Sequence, residues 1–251
     1  MVNFIGAGCG AADLITVRGM RLLQQADVII YAGSLVNPQL LEYADKNCKI
    51  YNSAYMTLDE VMDVMKEAES QGKMIVRLHT GDPCLYGAVR EQFDRLNNLG
   101  IPFEVCPGVS SFCGAAASLK AEYTLPDVSQ SVIITRMEGR TAVPAKEKIE
   151  LLAQHNATMV IFLSTGLLKE LSAALQQGGY PPDTPAAIVY KASWEDEKLC
   201  RCTVDSLAVT AEKNNIKKTA LICIGNFLGN DYSLSKLYDK KFETEFRKAA
   251  K

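Results

Sequence analysis

Apolar residues in this chain fall into short continuous runs separated by amphipathic stretches with a helical period. In the first half, runs at 2–7, 28–31 and 74–79 carry Val, Ile and Leu, and shorter runs at 49–51 and 102–105 carry Ile, Tyr, Phe and Val; with turn residues near their ends, the pattern predicts five strands. Between two of them, 58–71 reads as a helix. Thr57 is its cap, Glu60 completes a capping box, Leu58, Val61, Met62, Met65 and Ala68 share one face, and Gly72 stops it. Asn37-Pro38 opens another helix, with Asn as cap and Pro in the first turn. Strands separated by helices imply crossover connections and a mostly parallel sheet.

The texture changes near residue 115. Gly114-Ala115-Ala116-Ala117-Ser118-Leu119 reads as a small-residue helix suited to close packing, and Tyr123-Thr124-Leu125-Pro126-Asp127 as an extended link. A second set follows, with strands at 130–135, 158–163, 186–190, 199–203 and 220–225 and helices at 145–154, 167–177 and 207–214. The strands at 186–190 and 199–203 are separated by a Trp-Glu-Asp-Glu-Lys turn, so the second sheet is expected to be mixed. The expectation is an α/β protein of two α/β domains, 1–114 and 115–231, followed by a charged tail, 232–251.

Composition narrows the function classes. The chain has 251 residues, 48% hydrophobic and 22% charged, and a formal net charge of −2. That balance gives no support to a general nucleic-acid or membrane-surface role. No apolar run approaches the ~20 residues of a membrane span, and the N-terminus reads as a first strand rather than a leader, so a cytoplasmic location is expected. The eight cysteines include no Cys-x-x-Cys pair. They are expected to be reduced, and no spacing points to a metal site.

Three loops at predicted strand ends carry the candidate chemistry. Gly6-Ala7-Gly8-Cys9-Gly10 follows the first strand, but its spacing is G-x-G-x-G and the second strand ends in Tyr31-Ala32-Gly33 without an acidic ribose ligand. A nicotinamide site is therefore not expected. Thr80-Gly81-Asp82-Pro83-Cys84-Leu85-Tyr86-Gly87 leaves the strand at 74–79, placing backbone N–H groups and one carboxylate at the lip of the sheet, where open α/β sheets bind ligands. Cys106-Pro107-Gly108-Val109-Ser110-Ser111 enters the small-residue helix, whose N-terminus can receive a negative or polar group. Taken alone, Ser110 reads first as a helix cap, and Asp82 has a turn-forming role as its alternative.

In order and spacing, Gly6-x-Gly8-x-Gly10 with Asp13-Leu14-Ile15-Thr16, then Thr80-Gly81-Asp82-Pro83, then Pro107-Gly108-Val109-Ser110-Ser111, resemble the tetrapyrrole methylases. Further stretches narrow the resemblance to the members acting at C-11 of (cobalt-)precorrin-4: Tyr31–Val36, His79–Pro83, Thr135–Thr141, Val189–Trp194 and Ser235–Asp239. The resemblance implies a fold of two α/β domains with a cofactor cleft between them, S-adenosylmethionine as methyl donor, and a homodimer. It carries cofactor contacts onto Thr80, Gly81, Asp82, Leu85, Ser110, Ser111 and Ser164, and further ones onto Ala192 and the backbone near Gly225. A polycarboxylated acceptor suits arginine forks, so Arg136 and Arg140 come first as substrate ligands and Arg18, Arg77, His79 and Lys191 next, with Gly8 and Cys9 also on the substrate side. No catalytic acid or base is identified. Tyr31 and His79 are weak candidates whose structural roles take precedence.

The chain departs from the family pattern in its first loop, where Cys9, Ala11 and Ala12 replace Pro, Asp and Pro. A looser loop is expected there. Some relatives carry Asp at the position of Gly33, so that carboxylate is not the acid or base here. Methylation at another macrocycle carbon, an RNA 2′-O or diphthamide-pathway methylation, and a non-catalytic tetrapyrrole or nucleotide-binding module remain as alternatives. The pI near 5.8 disfavours the RNA version.

Overall fold

A computed structural model of the chain describes residues 1–249; positions 250 and 251 of the expected tail lie outside the described residues. The described residues form two compact units. The first comprises Met1–Ala115 with Lys191–Glu197, and the second begins at Ala116, runs to Tyr190 and resumes at Lys198.

The first unit is built on five parallel strands: β1 (Val2–Gly6), β2 (Val28–Tyr31), β3 (Lys49–Asn52), β4 (Ile75–His79) and β5 (Phe103–Cys106), in the order β3-β2-β4-β1-β5. These are the five runs read from the hydrophobic pattern, to within a residue or two. Continuous apolar strands are expected of a parallel sheet covered on both faces. Ile5, Ile29, Val76 and Leu78 pack with Leu23 of α1 (Val17–Gln25) on one face. Phe4, Val28, Ile30 and Ile75 pack with Val61, Met62 and Met65 of α2 (Leu58–Ser70) and Leu96 of α3 (Arg90–Asn98) on the other. Adjacent strands β1 and β4 therefore send their chains to opposite faces. The carboxyl ends of strands that diverge in this way are where open α/β sheets hold ligands.

The α2 capping box is present as read: Thr57 accepts from the Glu60 amide at 3.3 Å while Glu60 accepts from the Thr57 amide at 2.6 Å. The segment after Asn37 forms a 3-10 helix, Pro38–Tyr43, capped by the Asn37 side chain.

The second unit holds β6 (Val132–Arg136), β7 (Thr158–Phe162), β8 (Pro185–Tyr190), β9 (Lys198–Thr203) and β10 (Ala220–Ile224), in the order β6-β7-β10-β8-β9. Only β6 and β7 pair in parallel, so the sheet is mixed. Met159, Ile161, Ile188, Ile222 and Ile224 pack against Leu168, Leu171 and Leu175 of α6 (Leu168–Gln177) and Leu207 and Ala211 of α7 (Leu207–Lys213). The helix expected over 145–154 is broken instead. A 3-10 turn, Ala145–Glu147, is followed by extended Lys148, a four-residue α5 (Ile149–Leu152) and a second 3-10 turn, Ala153–His155. The break falls at Lys148, whose extended backbone ends the 3-10 turn; Ile149 and Ala153 then face the core, where Gly178 makes room for Ala153, since a Cβ at 178 would meet the Ala153 Cβ at 2.4 Å. The small-residue helix is α4 (Ser111–Leu119), and the division between the units falls within it.

Two cationic or ionisable side chains are buried in β4. The Arg77 guanidinium donates to Gln92 Oε1 at 3.1 Å and to the Ile30 carbonyl at 3.2 Å. His79, 4% exposed, stacks on Phe4, and its Nε2 is buried without a partner. Burial, helped by the nearby Arg77 charge, pushes the imidazole down from 6.5 to about 3. In the unfolded chain His79 takes up a proton below about pH 6.5, whereas the folded chain resists it until about pH 3. Stability present above pH 6.5 is therefore lost as pH falls through that window, at up to about 1.4 kcal/mol per unit. His79→Phe is expected to flatten the acid limb of the urea midpoint between pH 6.5 and 4; an unchanged slope would assign that limb to other groups.

Candidate active site

Three glycines at three strand ends make the carboxyl edge of the first sheet. Gly6 ends β1, Gly81 follows β4 and Gly108 follows β5. A Cβ on Gly6 would lie 2.6 Å from the Gly108 Cα, and one on Gly108 would lie 2.3 Å from the Gly81 carbonyl oxygen and 2.6 Å from the Gly6 Cα. Backbone therefore touches backbone, and no larger residue fits at Gly6 or Gly108 without moving a loop. The Gly8 and Gly81 amides exchange hydrogen bonds with each other's carbonyls at 3.2 and 2.8 Å, tying the first loop to the second.

Asp82 ties the second loop to the third. Its Oδ1 accepts from the Cys84 amide and its Oδ2 from the Gly108 amide, both at 2.8 Å. Burial works against ionisation, but hydrogen bonds from the Cys84 thiol and from the amides of Cys84 and Gly108 outweigh it, and the carboxyl lies below its usual range. The carboxylate thus serves first as a brace between loops. Gly81 has φ +59°, and a Cβ there would sit 3.4 Å from the Ser111 amide nitrogen and 3.5 Å from the Ser110 Cα. A side chain at 81 would thus cover the start of α4, where helix geometry leaves N–H groups without an intrahelical acceptor. Gly8, Gly81, Asp82, Ser110 and Ser111 are brought together here. Thr80 reaches the Leu35 carbonyl at 3.5 Å, and the Leu85 amide bonds to the Asp82 carbonyl at 3.3 Å. Tyr31 ends β2, packs beside the Ile5–Ile29 cluster, and its carbonyl accepts from the Ser53 hydroxyl at 3.1 Å.

The first glycine loop has a brace that its sequence does not announce. Segment 191–197, although inserted between β8 and β9, belongs to the first unit. Ser193 Oγ accepts from the Ala11 amide at 3.0 Å and lies 3.4 Å from Cys9 Sγ. A Cβ on Gly10 would strike the Trp194 ring at 2.3 Å and the Ala192 carbonyl at 2.5 Å. Lys191 and Ser193 adopt positive φ, +49° and +65°. Lys191 pairs with Asp196 at 2.6 Å and lies over the Trp194 ring. The loop expected to be loose for want of prolines is held from outside by Ser193 and Trp194. At Gly33 a Cβ would lie 2.2 Å from Asn52 Oδ1, so the Asn52 amide fills the space that a side chain at 33 would need.

In the second unit, Ser164 is fully buried just beyond β7. Its hydroxyl donates to the Phe162 carbonyl at 2.6 Å and accepts from the Met137 amide at 2.8 Å. Arg136, at the end of β6, donates to the backbone carbonyls of Met137, Thr141 and Ala142. Arg140 is exposed on the loop so formed. Leu163, at φ +53° and 67% exposed, presents apolar surface beside Ser164. The sequence reading passed over Ser193, Trp194, Asn52 and Leu163. Ser193 and Trp194 lie in the stretch Val189–Trp194, and Leu163 ends the strand expected over 158–163.

The family model for tetrapyrrole (corrin/porphyrin) methylases matches residues 1–208. The chain is 55% identical, over 100% of its length and 97% of the relative's, to a cobalt-precorrin-4 C(11)-methyltransferase of Methanocaldococcus jannaschii. It is 46% identical, over 98% of its length and 97% of the relative's, to the enzyme of that name from Priestia megaterium. The X-ray structure of a cobalt precorrin-4 methyltransferase, a cobalamin biosynthetic enzyme, superposes with a TM-score of 0.90 at 45% identity, covering 91% of this chain and 96% of that one.

Two substitutions test the loop contacts. Gly108→Ala is expected to lower the melting temperature and to abolish binding of S-adenosylhomocysteine measured by calorimetry. Asp82→Ala removes both charge-assisted braces and should cost about 1–2 kcal/mol of stability along with affinity. An unchanged melting temperature for Asp82→Ala would show that the carboxylate does not hold the loops.

Proposed function

The chain belongs to the tetrapyrrole methylases, and from that premise we propose that it transfers a methyl group from S-adenosylmethionine to C-11 of (cobalt-)precorrin-4 in corrin-ring synthesis. The observation that carries this reading is the glycine-lined edge at Gly6, Gly81 and Gly108. It leaves backbone close to the start of α4, with no side chain at Gly81 to cover the Ser111 amide. The cofactor combines a carboxylate, an ammonium, a ribose diol and a sulfonium, groups that call for backbone donors and acceptors in a fixed frame. The residues present fit that demand. We assign the polar contacts to the backbone of Thr80, Gly81 and Asp82 and to Ser110 and Ser111. Leu85 and Ala192 are placed at the apolar parts, and Ser164 acts through its bonds to Phe162 and Met137. Gly8 and Cys9, close to Gly81 and Ser193, and Lys191, paired with Asp196, are placed on the acceptor side.

The bound cofactor supplies an electrophilic methyl and leaves as a neutral thioether, so no side chain need protonate the leaving group. The chain's contribution is alignment of the two reactants, which alone is worth several powers of ten in rate. His79 is neutral above about pH 3 and packed on Phe4, and Tyr31 sits against the β2 cluster. We give neither an acid–base step. Arg140 on its exposed loop is assigned to a peripheral carboxylate of the acceptor. A homodimer in the cytoplasm completes the proposal; no helix among the described residues is long and apolar enough to cross a membrane.

Incubation of the protein with methyl-labelled S-adenosylmethionine and cobalt-precorrin-4 is expected to place one labelled methyl at C-11, read by carbon NMR of the product. Label at another ring carbon would move the chain to a different reaction of the family. Cofactor binding with no transfer would make it a binding module.

A further inference from the structure

Arg136 and Arg140 look alike in the sequence as ligands for a polycarboxylated acceptor, and the structure separates them. Arg136 Nη1 donates to the Met137 and Thr141 carbonyls at 3.1 Å each, and Nη2 donates to the Ala142 carbonyl at 2.7 Å. Three of the five guanidinium N–H groups are thus committed to the backbone of one short loop. The loop closes on itself through the Gly139 amide and the Thr141 carbonyl at 3.3 Å. It is fixed at its start by the Ser164 hydroxyl on the Met137 amide, and it rests near Leu167, 3.6 Å from where a Gly139 Cβ would lie. Glu138, Gly139, Arg140, Thr141 and Ala142 are all exposed, so this order is not the product of burial. Arg140, at the tip, makes no ion pair among the described residues.

We propose that Arg136 is a positioning residue that folds loop 137–142 and so holds the Arg140 guanidinium ready for one peripheral carboxylate of the methyl acceptor, without touching the acceptor itself. This rests on the reading of the chain as a methylase of a polycarboxylated tetrapyrrole. The exposed carbonyls freed by losing Arg136 can be hydrated, so the loss is one of loop order rather than of global stability. Lysine cannot replace it, because a single ammonium lacks the planar fork that spans three carbonyls.

The test uses R136A, R136K, R140A and the R136A/R140A double variant of the full chain. With cobalt-precorrin-4 as acceptor, R140A and R136A are each expected to raise its KM about tenfold, leaving kcat and the KM for S-adenosylmethionine nearly unchanged. R136K should behave like R136A. The double variant should be no worse than either single, because the Arg140 contact is already lost when the loop is loose. Limited trypsinolysis, followed by mass spectrometry of the cut after Arg140, should be several-fold faster in R136A and R136K than in the unaltered chain. A double variant with KM raised about a hundredfold, or R136K restoring the original KM, would show that Arg136 meets the acceptor directly. An R140A variant with unaltered KM, or equal trypsin rates, would also overturn the proposal. Should the unaltered chain fail to methylate cobalt-precorrin-4, the functional reading falls, and the trypsin comparison still decides whether Arg136 orders the loop.

Discussion

The site depends on a close approach between main chains at the carboxyl edge of the first sheet. Gly6, Gly81 and Gly108 come from three different strand ends, and their backbones meet at distances that exclude even a methyl group at Gly6 and Gly108. Parallel strands leave their chains at the same edge of a sheet, and only where neighbouring loops shed their side chains can those loops pack this tightly. Contact of this kind aims polar backbone groups outward as a rigid set. The same geometry makes the set brittle, since displacement of one loop displaces all three. Asp82 acts on that fragility by clamping the Gly108 amide and its own turn with one carboxylate.

The first glycine loop illustrates a second route to rigidity. Without prolines it would be free to fluctuate, yet Ser193 and Trp194 lie against it, and Gly10 accommodates them by having no side chain. The cost falls on segment 191–197, where Lys191 and Ser193 take left-handed backbone conformations. The Lys191–Asp196 pair and the Ser193 amide bond to Glu197 hold that segment in shape. Stiffness has moved from the loop's own covalent chemistry to a contact with a distant piece of chain. In the second unit the same division of labour recurs on a smaller scale: Ser164 and Arg136 spend their polar groups on backbone, and Arg140 is left exposed.

Much of this architecture is legible in the amino-acid order, for identifiable reasons. The strands are β-branched runs cut by turn residues, and the short link between 190 and 198 forces an antiparallel pair and therefore a mixed second sheet. Helix α2 announces itself through Thr57 and Glu60. The helices α1 and α3 do not: α1 contains Gly19, which packs close to Ile5, and α3 buries little beyond Gln92 and Leu96. The regular period over 145–154 hides a break at Lys148, whose extended backbone separates a 3-10 turn from α5. The residue types of the site can be read from the three loops and from their resemblance to a family. Their roles cannot, because the deciding partners are remote: Asp82 and Gly108 are 26 positions apart, and Ala11 and Ser193 are 182 apart. Arg136 is the clearest case, since its charge suggests a ligand and its hydrogen bonds make it scaffolding.

The central claim is that the main-chain edge around Gly81 receives the methyl donor. A crystal structure of the full chain soaked with S-adenosylhomocysteine tests it most directly. The account predicts density for the cofactor against the backbone of Thr80–Asp82 and the start of α4 at Ser110 and Ser111. Density seated instead on the Gly6–Gly10 turn in the manner of a dinucleotide, with the Gly81 edge empty at saturating ligand, would contradict it.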